Sequence, residues 1–377
     1  MKKLLTLLLL SLICSAAYAQ ENSEFTRIIA GSRADKFCEV FAADDGCILA
    51  AGFTFSSDGD LSDRTKTGRS GWLCSLDERG NVLWNFCSRN SQNDEILAPR
   101  KHGDGTITVL LRSDGHEYNQ LDLIRLSSEG KQIDRKTLFK LSQEEAHCML
   151  TGPKVFAGGY IVDVFQHSKP YEPVYHWFDF SGKLLKTTSG ISRDSIAAVS
   201  ENHIVQEKDG VYWLCKLDES GDDTPICRLP EGVQYYGLVS LEHGGAAVCG
   251  GRANDQGRKG LLLIYDAAGN RTAAFRFEGY ILEKVLLHEN GYVLSAVQHE
   301  DEGIVFHMTE DGTVTAKREL MFSASSYYPY IAQMPDGRIA FVSSKWGDRT
   351  DGSDMVNYDA VFQVLDLRCI EKPSIRA

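Results

Sequence analysis

An all-β chain of seven similar units is predicted from three features of the 377-residue sequence. Two series of glycine turns interleave along it, each unit holds four short runs of β-favouring residues, and an N-terminal run looks like the last strand of a unit. The first series of turns is followed each time by apolar alternation: DDGCILAAG (44–52), GDGTITVLL (103–111), AGGYIVDVF (157–165), HGGAAVCGG (243–251), ENGYVLSAV (289–297) and PDGRIAFVS (335–343). Its glycines are Gly46, Gly105, Gly159, Gly245, Gly291 and Gly337. The second series closes a different run: SLDERG (75–80), RLSSEG (125–130), FDFSG (178–182), KLDESG (216–221), YDAAG (265–269) and MTEDG (308–312), with VLDLRC (364–369) as a glycine-less copy. ENHIVQEKDGVYWLC (201–215) fills the unit missing from the first series. A period of about 40 to 60 residues marks a repeat architecture.

In the first unit the four runs are KFCEVFA (36–42), CILAAGF (47–53), GWLCSLD (71–77) and NVLWNFC (81–87). β-Branched and aromatic residues suit a pleated, half-buried surface, and Gly/Asp/Asn linkers of this length join antiparallel hairpins. Four strands in each of seven units describe a seven-bladed β-propeller of four-stranded antiparallel blades. Beyond LDLRC the chain has no good outer strand, whereas EFTRIIAG (24–31) resembles one. The N-terminal strand is therefore expected to complete blade seven and remove an exposed edge.

The segment MKKLLTLLLLSLICSAAYAQ carries Lys2 and Lys3, an apolar run from Leu4 to Ile13, and Ala17 and Ala19 around Tyr18. This is the pattern of a secretory signal peptide, residues 1–19, cleaved after Ala19. Residues 20–377 are then a single propeller domain, secreted or periplasmic. The apolar run is about ten residues where a spanning helix needs roughly twenty, so no membrane span is expected. Ile13 before Cys14 is too bulky for the usual lipid-attachment signal. The net charge of −12 includes the two leader lysines, and without a basic cluster the chain lacks the surface a nucleic-acid partner requires. A monomer is expected.

The runs GCILAAGFTFSSDGDLSD, SGWLCSLDERGNVLWNF and SQNDEILAPRKHGDGTITVLL resemble the repeat of secreted bacterial β-propellers, whose blades read roughly DGGYIxAG, SxDGDVSG and DxWxxKLDxxGxxxW. The resemblance is closest in blade one and departs from the pattern at Ser70 to Trp72 and at Asp63. It implies a propeller and an extracytoplasmic location, and no particular activity.

Loops between second and third strands share one face with the connections between blades. SSDGDLSDRTKTGRS (56–70) and SKWGDRTDGSDMVNY (344–358) are the longest, on neighbouring blades of a closed ring. Asp58, Asp60, Asp63, Asp348, Asp351 and Asp354 are expected to share one rim sector. HSKPYEPVYHW (167–177) and SSYYPY (325–330) bring aromatics to the same face. Calcium takes six to eight oxygens, and Asp58, Asp60 and Asp63 supply several. The sixth position from Asp58 is nevertheless Asp63 where an EF-hand has Gly, and the twelfth is Arg69 where it has Glu. A solvated turn is the expected reading of this loop, with calcium as the alternative. Trp346, Tyr327, Tyr328, Tyr171 and Tyr175 are the candidate ligand-binding residues, placed where they can stack on a sugar or clamp a peptide. Trp72, Trp84, Trp177 and Trp213 are expected to fill blade packing.

Ten cysteines include Cys14 of the leader, which leaves an odd number in the domain. Cys74 and Cys87 flank one hairpin turn, and with Cys74 opposite Leu83 the pair is too far apart to bridge; free, buried thiols are expected. HExxH, CxxC, GxSxG and P-loop motifs are all missing. Asp35, Asp94 and Asp194 recur at the start of the first strands of blades one, two and four, where a turn aspartate normally caps local backbone. The leading expectation is a non-catalytic binding or scaffold protein without a cofactor, recognising a protein, peptide or glycan on its loop-rich face. The alternative is a carbohydrate-active enzyme, hydrolase or lyase, with carboxylates near the axis.

Overall fold

The computed structural model describes residues 24–62, 68–88, 93–115, 118–142, 148–150, 153–166, 169–189, 195–254, 257–298, 303–320, 330–346 and 358–367. Its strands form seven sheets. Strand β1 is Phe25–Ile29. Blade one holds β2 (Asp35–Ala42), β3 (Ile48–Thr54), β4 (Ser70–Leu76) and β5 (Val82–Cys87). Blade two holds β6 (Asn93–Lys101), β7 (Ile107–Asp114), β8 (Tyr118–Leu126) and β9 (Gln132–Ser142). In blade three the first strand is split into β10 (Cys148–Leu150) and β11 (Lys154–Phe156), followed by β12 (Gly159–Gln166), β13 (Lys169–Asp179) and β14 (Leu184–Ser189). Blade four holds β15 (Ser195–Val199), β16 (His203–Lys208), β17 (Val211–Leu217) and β18 (Asp223–Arg228). Blade five holds β19 (Gln234–Ser240), β20 (Ala246–Asn254), β21 (Gly257–Tyr265) and β22 (Arg271–Glu278). Blade six holds β23 (Ile281–His288), β24 (Gly291–Val297), β25 (Gly303–Thr309) and β26 (Val314–Leu320). Blade seven holds β27 (Tyr330–Gln333), β28 (Ile339–Trp346) and β29 (Tyr358–Leu365).

β1 supplies the missing fourth strand of blade seven, pairing antiparallel with β29 from Phe25↔Val364 to Ile29↔Ala360. The ring is a seven-bladed β-propeller closed by its N-terminal strand. First strands of neighbouring blades touch one another, as β15 touches β19, β19 touches β23, β23 touches β27 and β27 touches β2. They are the innermost strands and surround the axis. Among the described residues, no helix is long and apolar enough to cross a membrane.

The core is divided among the seams. One cluster joins Leu49 and Leu73 of blade one to Ile96 and Val109 of blade two. Another joins Ile29 and Phe362 of blade seven to Phe37 and Trp72 of blade one. Both faces of each blade are thus buried against neighbours, which is why the second and third strands read as nearly continuous apolar runs.

The second glycine series builds these seams. Gly80, Gly130, Gly182, Gly221, Gly269 and Gly312 all adopt positive φ, between 74° and 89°, a region that L side chains avoid. Each also lies against the preceding blade. A Cβ on Gly80 would sit 2.4 Å from the Phe25 ring, on Gly130 2.4 Å from Trp84, and on Gly312 2.3 Å from Phe275. Asp77, Asp179, Asp218 and Asp266 each accept a backbone N–H four residues on, which locks the same turn. The LDxxG pattern is therefore one device, a tight turn that fits the side chain of the neighbouring outer edge.

Cys74 lies opposite Asn85, and Cys87 opposite Trp72. The expected pairing of Cys74 with Leu83 is corrected by two residues: the turn pairs Leu76 with Val82, one residue beyond that expectation, and a register shift between Ser75 and Leu76 adds the second. Cys74 is a free thiol and so is not bridged to Cys87, and Cys38, Cys47, Cys215, Cys227 and Cys249 form no disulfide among the described residues.

Candidate functional site

The SSDGD loop carries a 3-10 turn at Gly59–Leu61, and its carboxylates reach the connection between β1 and β2. Asp58 Oδ1 accepts the Ser32 N–H at 2.7 Å, and Asp60 Oδ2 accepts the Ala30 N–H at 3.2 Å. The Ser32 bond is the main reason the Asp58 carboxyl lies below its usual range. Leu61 is buried in the seam of blades seven and one. The loop is exposed, as a rim turn is, yet two of its aspartates fasten the closure of the ring. Asp63 lies outside the described residues.

Asp35 and Asp94 also serve the fold. Asp35 is fully buried; its Oδ2 accepts Gly31 N–H at 2.8 Å and Ser56 Oγ–H at 2.7 Å. Asp94 Oδ2 accepts Ser88 Oγ–H at 2.5 Å. Burial pushes both carboxyls up, against these hydrogen bonds. They tie first strands to the incoming connections. Asp194 lies outside the described residues.

The polar groups of the axis come from elsewhere. The first strands of blades one, four, five and six each contain a β-bulge, between Phe37 and Glu39, Ile196 and Ala198, Tyr235 and Gly237, and Leu282 and Lys284. A bulge re-aims the side chains beside it. The residue directly after the bulge is Glu39 in blade one, Ala198 in blade four, Gly237 in blade five and Lys284 in blade six. Gly237 is required for close approach, since a Cβ there would lie 2.9 Å from Lys284 Cα. The Lys284 side chain is solvent-exposed, and its Nζ lies 5.8 Å from the centre of the Tyr330 ring.

Glu39 Oε2 accepts the Ala98 N–H at 2.5 Å, and Ala98 itself has a positive φ of 50°. Burial pushes the Glu39 carboxyl up to about 7, against the pull of Ala98 N–H and Lys284. Burial lowers Lys284, with Glu39 opposing. Glu283, the bulge residue before Lys284, is pushed up to about 7 by burial, with Arg258 opposing; among the described residues its buried Oε2 has no hydrogen-bond partner. Glu95 accepts from Arg69 Nη2 at 3.0 Å and Arg112 Nη2 at 2.5 Å, and Arg69 stacks 3.9 Å from the centre of the Phe53 ring. The innermost strands and their neighbours thus carry an ammonium, an aromatic ring, a carboxyl that titrates near neutrality, and a carboxylate held between two arginines.

Glu39 and Lys284 were not among the residues singled out from the sequence. The signal was present in the first strands: FCEV (37–40), YYGL (235–238) and LEKV (282–285) align once the bulge is counted. The expected loop aromatics are placed differently. Tyr171 and Tyr175 belong to β13, which corrects the loop reading of that segment. Tyr175 is 5% exposed and its hydroxyl accepts the Ile196 N–H at 3.0 Å. Trp346 is the last residue of β28 and pairs in register with Tyr358. Tyr327, Tyr328, Asp348, Asp351 and Asp354 lie outside the described residues. Trp72 and Trp177 are buried; Trp72 stacks on Phe37 with ring centres 4.3 Å apart, and Trp177 meets Phe156 edge to face with centres 5.5 Å apart. Trp84 packs under Gly130 and donates Nε1–H to Ser128 O at 2.9 Å, and Trp213 packs against the seam of blades three and four. Among the described residues, no group of three or more His, Cys, Asp or Glu side chains is arranged to hold a metal ion.

No family model and no curated protein matches the chain. In structure it is similar to virginiamycin B lyase from Staphylococcus aureus, at 10% identity and a TM-score of 0.51 over 91% of this chain and 99% of that one. It is similar to the polysaccharide lyase Uly1, at 10% identity and a TM-score of 0.52 over 89% and 91%. A protein from Lactobacillus plantarum is similar at 12% identity and a TM-score of 0.50 over 85% and 99%. At such identities the likeness is one of fold.

Proposed function

We propose that the protein is a secreted or periplasmic, non-catalytic propeller that binds a glycan or a peptide at the mouth of its axis. The leader-like N-terminus and the resemblance to secreted bacterial propeller repeats support the location. The observation that carries the binding role is the meeting of Lys284, Tyr330 and Glu39 on three innermost strands. Lys284 keeps solvent-accessible area there, while the protein surrounding it on the inner strands lowers its affinity for the proton. Concave sites with a few convergent polar groups and perturbed titration are the default for ligand binding. In this reading Asp58 and Asp60 act in ring closure, and no cofactor takes part.

One feature favours a second reading, a carbohydrate-active enzyme, because a carboxyl that titrates near 7 suits general acid–base work. Binding is preferred because two-carboxylate hydrolysis needs a free acid and a free base roughly 5–10 Å apart. Glu39 is instead bonded to Ala98 N–H and Glu95 is paired with two arginines.

Glycan and peptide arrays probed with the wild type and Tyr330→Ala test the reading. Hits that weaken at least tenfold in the variant support it, and hits that do not change move the site away from the axis. Cleavage products from a bound glycan, abolished in Glu39→Gln, establish the enzyme instead.

A further inference from the structure

We infer that the axial mouth reads an anionic group, with the Lys284 ammonium receiving the carboxylate of an acidic sugar ring that lies against Tyr330. The inference rests on the binding role proposed for the axis and adds the class of ligand. Three other basic residues of the innermost strands have acidic partners: Arg100 pairs with Glu201 at 3.3 Å, Lys154 with Asp163 at 3.8 Å, and Lys101 with Asp45. Lys284 makes no salt bridge among the described residues, and its side-chain contact is the Tyr330 ring.

Its surroundings compensate it only in part: the Glu39 carboxyl acts on it but is bonded to the Ala98 N–H and forms no salt bridge with it among the described residues. Glu39 acts on it and Glu283 precedes it in β23, and burial raises each of these carboxyls to about 7. Glu95 is already shared by Arg69 and Arg112, and Arg258 acts on Glu283. An incoming carboxylate would supply for Lys284 the charge-assisted bonds that it lacks. The rim aspartates do not favour a cation to the same degree, since Asp58 and Asp60 each spend an oxygen on backbone N–H. An acidic glycan fits better than an acidic peptide because the Tyr330 face beside the ammonium offers a flat surface for a sugar ring.

The test is calorimetric titration of the protein, Lys284→Met and Lys284→Arg with oligogalacturonate, oligomannuronate and a hyaluronan fragment, each also in carboxyl-reduced form, and with hexaglutamate. Methionine keeps the apolar stem of an exposed residue, and thermal melts establish that the variants are folded. Binding of at least one acidic oligosaccharide is expected, weakened tenfold or more by carboxyl reduction and by Lys284→Met, with partial recovery in Lys284→Arg. Equal binding of the carboxyl-reduced form, unchanged binding by Lys284→Met, failure of every acidic sugar, or preference for hexaglutamate overturns the inference. Neutral-glycan binding that is lost in Tyr330→Ala would overturn this inference and leave the axial role standing. Binding insensitive to both variants would overturn both.

Discussion

Glu39 and Lys284 occupy the same repeat position in blades one and six, the residue that follows the β-bulge of the innermost strand. Ala198 and Gly237 stand there in blades four and five, so of these four bulged strands only those of blades one and six carry a charge at this position. Burial raises Glu39 from 4.5 to about 7, so the folded protein keeps this proton over a range in which the unfolded chain has lost it. The site therefore favours folding most below about 4.5, and that contribution is lost as the pH rises through about 7.

Glu39→Gln keeps the acceptor for Ala98 N–H and cannot ionise. Its unfolding free energy is expected to match the wild type at pH 4.5 and exceed it at pH 8 by roughly 1–2 kcal/mol, discounted for solvent in the lumen. Equal pH dependence of the two proteins in denaturant titrations would rule this out.

The aspartates of the SSDGD loop make a second prediction. Asp58→Ala and Asp60→Ala each remove an acceptor from the connection that enters blade one, and each is expected to cost about 1 kcal/mol. The denaturant midpoint of the double variant reads this directly. A midpoint unchanged within error would make the loop a passive turn.

Closure by β1 gives the largest expected effect. Deleting residues 24–31 removes the strand paired with β29 and bares an edge, so a sharply lower melting temperature and self-association through that edge are expected. A monomer that melts with the intact protein would contradict the closed ring.

The seam glycines separate backbone strain from contact. Gly105 and Gly130 have φ of 80° and 75°, but a Cβ on Gly105 meets nothing within 4 Å whereas one on Gly130 meets Trp84 at 2.4 Å. Alanine at Gly105 is expected to cost about 1 kcal/mol from φ alone, and alanine at Gly130 clearly more. Equal losses by chemical denaturation would remove the seam role of the LDxxG turn.

The blade count, the strand limits of blade one and the closing strand were legible because turn glycines and apolar runs repeat with a fixed order, and local geometry demands both. The site was less legible. Glu39 and Lys284 each look like one charged residue in an apolar strand, and their meeting depends on a bulge that shifts register and on curvature that brings blades one and six round the axis. Tyr175 read as a loop aromatic because HSKPYEPVYHW holds two prolines and several polar residues, while the strand pairing of Tyr175 with Asp163 and Thr188 overrides that composition. The role of Asp58 was hidden for a similar reason, since its partner Ser32 lies in a different segment of the chain.

Amide hydrogen exchange with and without the ligand found on the arrays tests the axial site most directly. The account predicts slowed exchange in the innermost strands at residues 36–40, 281–286 and 330–333, with smaller changes on the rim. Protection confined to residues 56–62 and 340–346, with the three innermost strands unchanged, would contradict it.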